Sequence, residues 1–332
     1  MAITATHIVQ QYGQRYENKG QSINDVFTAF KRNRTLPTFA TKRFTENDTL
    51  QLAQADISSV LQPFHKTFTA KGDTTIVANE ITLRKMKVDI SIDPDDIEQT
   101  WLGFMADLND GERANWPIVR YIWEVWLAER LAQDHEECDW NGIYTAHPGS
   151  GTPSHLTSYT GLKNLIIAGL ASSTNPMNAV SVTGEFSLSG AFEAMESFVD
   201  GLPQFWRNKA VDIYISQKAY KNYFRDRRNT HGANWGFDTP GMKRDNMDVM
   251  TVDGFPNWRL VPFGGMDMAD DTNWVFATPR ANIVHGQKTV GKRMSMDKDT
   301  RTVNLYADWF EAVGFLCNAM VYAYDPADSS AS

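Results

Sequence analysis

Along the chain, the clearest alternation of apolar and polar positions falls where Met86, Val88, Ile90 and Ile92 interleave with Lys85, Lys87, Asp89 and Ser91. A period of two places the first set on one face of a strand and the second on the other. Upstream, Thr67-Phe68-Thr69 leads into Lys71-Gly72-Asp73, a turn signal, so residues 64–92 are expected to form one long two-stranded ribbon. A ribbon with one modest apolar face is marginal alone in water and needs a surface to lie on, which another subunit can supply.

The pattern then changes to helical spacing. Asp93 is placed to cap free amides, Pro94 suits a first helical position, and Asp95 and Asp96 complement the positive helix end. A longer helix is predicted from Pro117, with Val119, Ile122, Trp123, Trp126, Leu127 and Leu131 at three- and four-residue spacing and Asn141-Gly142 as its stop. At about 1.5 Å per residue it measures roughly 36 Å, long enough to be the backbone of a domain, with Trp123 and Trp126 as packing residues.

Residues 1–63 read as an arm, in which Ile23, Val26, Phe27 and Phe30 alternate with polar stretches. The segment 147–153, His-Pro-Gly-Ser-Gly-Thr-Pro, is a loop at which one domain gives way to another. Beyond it the pattern predicts a helix over 190–206, a buried strand over 211–215, a basic helix over 217–228 and a glycine-rich loop through Gly241. Strand signals follow at 259–262 and 274–276, then a hairpin in which residues 297–300 turn between 293–296 and 302–305. Residues 309–324 read as a long closing strand, although Phe310, Val313 and Leu316 would also suit a helix.

The 332 residues predict about two compact units. A hydrophobic content of 42%, with 10 tryptophans, excludes disorder throughout. Against 32 basic residues stand 40 acidic ones, a formal charge of -8 that argues against a surface coated by nucleic acid. Local basic patches remain: Lys31, Arg32, Arg34, Lys42 and Arg43 cluster in the arm, where a solvated surface is a simpler reading than nucleic-acid contact. Two cysteines, Cys138 and Cys317, are too few for a disulfide framework or a four-thiolate zinc site. The apolar runs at 164–171 and 310–324 are short or interrupted and no signal segment is apparent, so the expectation is a soluble protein made in the cytoplasm, with no membrane partner.

The search for chemistry yields no catalytic residue, no metal site and no cofactor. His135-Glu136-Glu137-Cys138 lacks the second histidine of a helical zinc motif, and helix-end solvation is the simpler account. Gly149-Ser150-Gly151 is followed by no Gly-Lys-Ser/Thr and reads as a linker. Asp267, Asp270 and Asp271 lack the spacing of a calcium loop and suit a solvated turn. His147 and His155 are the one close histidine pair with metal-ligand spacing, and they sit in a polar loop. The basic helix carries Lys218, Lys221, Arg225, Arg227 and Arg228 with Tyr220, Tyr223 and Phe224 interleaved, a composition compatible with nucleic-acid backbone that equally suits an acidic patch on a neighbouring subunit, and the negative total charge favours the subunit reading.

An arm, a ribbon, a long helix ending at a glycine, a mixed domain and a return to strands together resemble the major capsid proteins of tailed double-stranded DNA bacteriophages, the Hong Kong 97-type fold. Residues 126–134, Trp-Leu-Ala-Glu-Arg-Leu-Ala-Gln-Asp, followed by Trp140-Asn141-Gly142, resemble the end of the family's spine helix and its glycine loop. Residues 210–216, then Lys218-Ala219-Tyr220, resemble its buried strand leading into a helix. Asp253-Gly254-Phe255-Pro256 with Leu260-Val261-Pro262 resembles its later Gly-x-Pro segment and apolar strand, and residues 297–324 its return through the peripheral domain.

The resemblance implies an α+β fold with an N-terminal arm (1–63), an extended β-hairpin loop (64–92), a peripheral domain with a spine helix (93–142), an axial domain (143–288), and a return to the peripheral domain with a C-terminal tail (289–332). It implies a shell protein, not an enzyme, that forms hexamers and pentamers of an icosahedral head. Its partners would be copies of itself, packaged double-stranded DNA bound without sequence preference, a portal, and scaffold or decoration proteins. Its place would be the virion, assembled in the host cytoplasm. No long charge-rich segment precedes the arm, so a separate scaffold, or none, is expected. Phe68, Lys85, Met86, Lys87, Val88, Arg225, Arg227 and Arg228 are the candidate inter-subunit contacts; Lys85 and Lys87 are assigned no crosslinking role. The alternatives are an encapsulin-type nanocompartment shell and, from another class, a soluble enzyme with a dispersed site around Asp267, Asp270 and His285.

Overall fold

The computed structural model describes residues 4–17, 23–31, 34–231, 250–252 and 254–327. Arg32, Asp253 and the loop through Gly241 lie outside them. The N-terminal segment runs through α1 (Ala5–Tyr12), α2 (Ile23–Ala29) and α3 (Leu36–Phe39). It then enters β1 (Thr41–Thr45), β2 (Thr49–Ile57), β3 (Thr74–Thr82) and β4 (Arg84–Ile92). Contrary to a loose arm, Ile8, Tyr12, Val26, Phe27 and Phe30 of this segment are buried in the main core.

Asp93 caps α4 (Pro94–Ala106) by accepting the Asp95 amide at 3.1 Å, and a short α5 (Asp110–Arg113) follows. The spine helix, α6, begins at Ile118 behind Pro117, runs through a π turn at Ile122–Trp126, and ends at Asn141 before Gly142. Trp123 is buried against Phe30, whereas Trp126 is partly exposed.

Then come α7 (Leu162–Leu170), β5 (Asn178–Ala179), α8 (Ala191–Asp200), β6 (Val211–Ile215) and α9 (Gln217–His231). After them follow β7 (Met250–Val252), β8 (Phe255–Pro262), α10 (Gly264–Met268), β9 (Val275–Pro279), β10 (Ile283–Lys288), β11 (Arg293–Lys298), β12 (Val303–Phe315) and β13 (Tyr322–Tyr324). The closing segment is therefore strand to Phe315, then a 3-10 turn at Asn318–Met320, then a second strand.

Two sheets organise these elements. In the first, β12 takes β4 along one edge, with Val303 opposite Ile92 and Glu311 opposite Arg84. Its other edge takes β11 over residues 303–308 and β10 over residues 311–315, and β1 adds in parallel to β10. The second sheet has the order β5-β13-β9-β6-β8-β7. Its central β6 is buried along its whole length, as a near-continuous apolar run requires. Val211, Ile213 and Ile215 pack towards α8 and α9, while Tyr214 on the opposite face stacks on Phe276 in the core shared with the spine helix.

These pairings change the expected ribbon. The residues over 84–92 alternate as predicted, but their partner is β12, so this strand belongs to the body of the subunit. The free hairpin is β2 with β3, Thr49 opposite Thr82 and Ile57 opposite Thr74, and residues 58–73 form its tip. Period two identifies a face, not a partner, and β12 offered Met86 a buried apolar face that a solitary ribbon could not. Likewise β10, expected with the middle domain, lies in the first sheet, and β13 returns to the second.

Candidate assembly surfaces

The hairpin is fixed at its base. Ile81 and Leu83 pack with Val284 and Ala312, and Asn79 donates through Nδ2 to the Phe315 carbonyl at 3.1 Å and to Asn318 Oδ1 at 3.0 Å. Its tip is held by little from the rest of the subunit: Leu61, Phe64 and Phe68 are 85%, 94% and 92% exposed. Large apolar side chains at such exposure, clustered on one projecting element, mark a surface for another molecule. Phe68, one of the candidate contacts, is among these exposed tip residues.

The other candidates divide. On β4 the polar face is outward: Lys85 pairs with Asp308 at 3.0 Å and Lys87 with Asp89 at 2.5 Å, all solvent-accessible. Val88 is half-buried, and Met86 is buried in the subunit's own core opposite Trp309, which removes it from an outer surface. On α9, Arg225 and Arg228 are exposed, but Arg227 is buried beside Asp226, whose carboxylate accepts the Phe192 amide at 3.0 Å. Helical geometry turns two of the three arginines outward and one inward.

A polar centre that sequence reading misses lies where the N-terminal segment meets the spine. The Arg34 guanidinium forks the Asp139 carboxylate at 2.8 to 2.9 Å and reaches Glu311 Oε1 at 2.6 Å, with all three side chains excluded from solvent. Tyr159 donates to Asp139 at 2.6 Å, and the His285 imidazole meets Glu311. Thr35 donates its amide to Glu136 at 2.8 Å. Burial by itself would raise the Glu311 carboxyl, but Arg34 and His285 outweigh it and hold the group well below the usual carboxylate range. Burial, with Arg34 nearby, drives His135 down to about 3.

Two expectations are corrected here. His135, Glu136, Cys138 and Asp139 are buried, not a solvated helix end, because α10 and Tyr159 close over that turn. Arg34 is not part of a solvated basic face. The centre is sealed and Arg34 is hydrogen-bonded to both of its carboxylates, so it acts as a structural clasp.

The residues proposed for a dispersed enzyme site are not brought into one cleft. Asp267 accepts the Gln217 and Lys218 amides at the start of α9, Asp270 is exposed in the turn after α10, and His285 is sealed with Glu311; the neighbouring Asp271 is held by Lys163 and the Trp140 indole. His155 pairs with Glu137 at 2.9 Å, while His147 accepts the Gly149 amide. Among the described residues no group of three or more His, Cys, Asp or Glu is arranged to hold a metal, and no helix is long and apolar enough to cross a membrane.

With this geometry in place, comparison with solved structures decides the architecture. A chain of the satellite phage P4 procapsid that includes the size determination (Sid) protein matches with a TM-score of 0.53 at 11% identity, over 92% of this chain and 99% of that one. The capsid of the native GTA particle matches with a TM-score of 0.52 at 14% identity, over 89% of this chain and 90% of that one. This is the Hong Kong 97-type capsid fold. The empty GTA particle gives a TM-score of 0.51 at 13% identity over the same shares. No family model and no curated protein matches the sequence. The capsid fold here is therefore carried by element order and pairing, with little residue identity.

Proposed function

We propose that the protein is a major capsid subunit that assembles with its own copies into the hexamers and pentamers of an icosahedral phage head enclosing double-stranded DNA. The observation that carries this reading is a capsid fold spanning about nine-tenths of the chain, from which a hairpin projects with an apolar tip left uncovered by its own subunit. In that reading the first sheet and α6 are the peripheral domain, the second sheet with α8 and α9 the axial domain, and residues 49–82 the extended loop that lies on a neighbour. A portal and scaffold or decoration proteins would complete the particle, assembled in the host cytoplasm and carried in the virion. A chain of charge -8 lining the shell holds packaged DNA without binding it tightly.

The test is expression of the chain alone and with candidate scaffold, followed by light scattering and negative-stain imaging of the soluble fraction. Capsomer-sized rings or closed megadalton particles are expected. A cooperative monomer of 37.5 kDa under both conditions overturns the reading. Nuclease-protected DNA in particles from infected cells separates a genome shell from a cargo compartment.

A further inference from the structure

Between α2, β1 and the loop following β10 lies an open cavity of about 560 Å³. Lys31, Lys42 and Lys292 line it together with Phe27, Phe44 and Gln287, and no acidic side chain lines it among the described residues. Lys42 and Phe44 stand on one face of β1, and Phe44 is 60% exposed there. Lys31 donates to the neutral Gln287 Oε1 at 2.6 Å, and Lys292 lies over the Phe27 ring at 5.6 Å. Glu311 is the carboxylate that acts on both of these lysines, and it is already engaged by Arg34 and His285. Burial accordingly lowers Lys31 to about 8 and pulls Lys292 down as well. Among the described residues none of the three lysines forms an ion pair with a carboxylate of its own subunit.

We propose that this lysine-lined cleft receives a carboxylate-bearing segment of a second copy of the chain, residues 107–112, which run from the end of α4 into the short α5. The proposal rests on the shell reading. That segment places Asp107, Asp110 and Glu112 within six residues, all exposed, around the half-buried Leu108. Asp110 meets Arg113 at 2.8 Å, yet its side chain remains 94% exposed and open to a second partner. On a chain of net charge -8, a basic cleft in one copy finds its complement on another. Phosphates of a duplex fit less well. A duplex is a stiff rod met by cations that stand out from a surface, whereas Lys31 and Lys292 are recessed against Gln287 and Phe27, within reach of a slender acidic side chain. The aromatic walls suit the leucine between the carboxylates.

The experiment is zero-length carbodiimide crosslinking of assembled particles made from mixed 14N- and 15N-labelled full-length chain, read by mass spectrometry. Mixed-label peptides joining Lys31, Lys42 or Lys292 to Asp107, Asp110 or Glu112 are expected. Particles in which those lysines join other carboxylates, or none, overturn the proposal. In parallel, Lys42→Glu is expected to lower particle yield at least tenfold while the subunit keeps its cooperative melt, and Asp110→Lys in the same chain to restore it to within threefold. A yield unaffected by Lys42→Glu, or unrestored by the second change, overturns it. Lysines that become open to amine labelling only after nuclease treatment assign the cleft to phosphate instead and overturn it too. A wild-type chain that forms no particle fails the shell reading, and soluble dimers joined through these residues would still carry the cleft assignment.

Discussion

Arg34 and Asp139 face each other across the seam between the N-terminal segment and the spine helix, 105 positions apart in sequence, through three hydrogen bonds from which water is excluded. Removing one member of a buried pair leaves an uncompensated charge, at a cost of about 3–5 kcal/mol. Arg34→Ala is therefore expected to lower the unfolding free energy by about that amount in urea titration, because both Asp139 and Glu311 lose their counter-charge. Adding Asp139→Asn and Glu311→Gln removes the stranded charges and is expected to recover at least half of the loss. A loss below about 1 kcal/mol in the single variant would show the clasp to be solvated.

The same centre sets an acid limit. His135 faces Arg34, Glu311, His285, Lys31 and the Tyr159 hydroxyl, and burial holds it neutral down to about pH 3, whereas an unfolded histidine titrates near 6.5. Between those values the unfolded chain binds the extra proton, so stability falls as pH falls, with a slope approaching about 1.4 kcal/mol per unit from this group. Glu311, held below its usual range, adds loss of the same sign once pH passes below about 4.5. Glu136, which burial raises, opposes this by favouring its protonated form in the fold. His135→Gln should flatten the slope between pH 6.5 and 4.5 by up to one proton in equilibrium unfolding. An unchanged slope would place the acid sensitivity elsewhere.

Element order was legible because local chemistry marks it. Asp93 and Pro94 open α4 as their residue types require, Gly142 ends the spine, and the apolar run over 211–215 is a buried central strand. What could not be read is pairing over long range. The strand over 84–92 shows the same alternation whether it lies in a ribbon or beside β12, more than 200 positions away. Arg34 is one of several cations in a basic run, and its burial is decided by Asp139 and Glu311, which arrive from other elements. The polar turn His135 to Asp139 looks solvated until Tyr159 and α10 are seen to close on it. Phe68, read as part of a ribbon over 64–92, lies instead in the tip of the β2–β3 hairpin, 92% exposed.

At the end of the spine two chain segments approach as closely as backbone allows. The Gly161 amide donates to the Gly142 carbonyl at 2.9 Å. A Cβ on Gly142 would stand 2.4 Å from the Tyr159 carbonyl oxygen and 2.7 Å from that of Cys138. These are backbone atoms that cannot swing aside. Gly142→Ala is expected to cost about 1–3 kcal/mol by forcing the segment off the helix end. A thermal melt lowered by several degrees, with the far-ultraviolet spectrum preserved, checks this, and an unchanged melt refutes the close approach.

The hairpin gives the sharpest separation of stability from assembly. A deletion spanning residues 68–88 would cut into β4 and remove Met86 from the core, so it would unfold the subunit without informing on assembly. Residues 58–73 lie wholly in the tip, beyond the β2–β3 pairing and beyond the Asn79 and Ile81 contacts that anchor the base. Replacing 58–73 by a short Gly-Ser turn is expected to leave the melting temperature within about 2 °C, since surface changes away from core features usually shift stability by less than about 0.5 kcal/mol. The same change is expected to abolish closed particles, because Leu61, Phe64 and Phe68 are the apolar anchors a neighbour would bury, at about 1.5–3 kcal/mol for each side chain fully covered. Restoring Phe64 and Phe68 alone on a shortened tip should recover part of the assembly seen by light scattering. Normal shells from the tip replacement would show that the hairpin does not hold the lattice together.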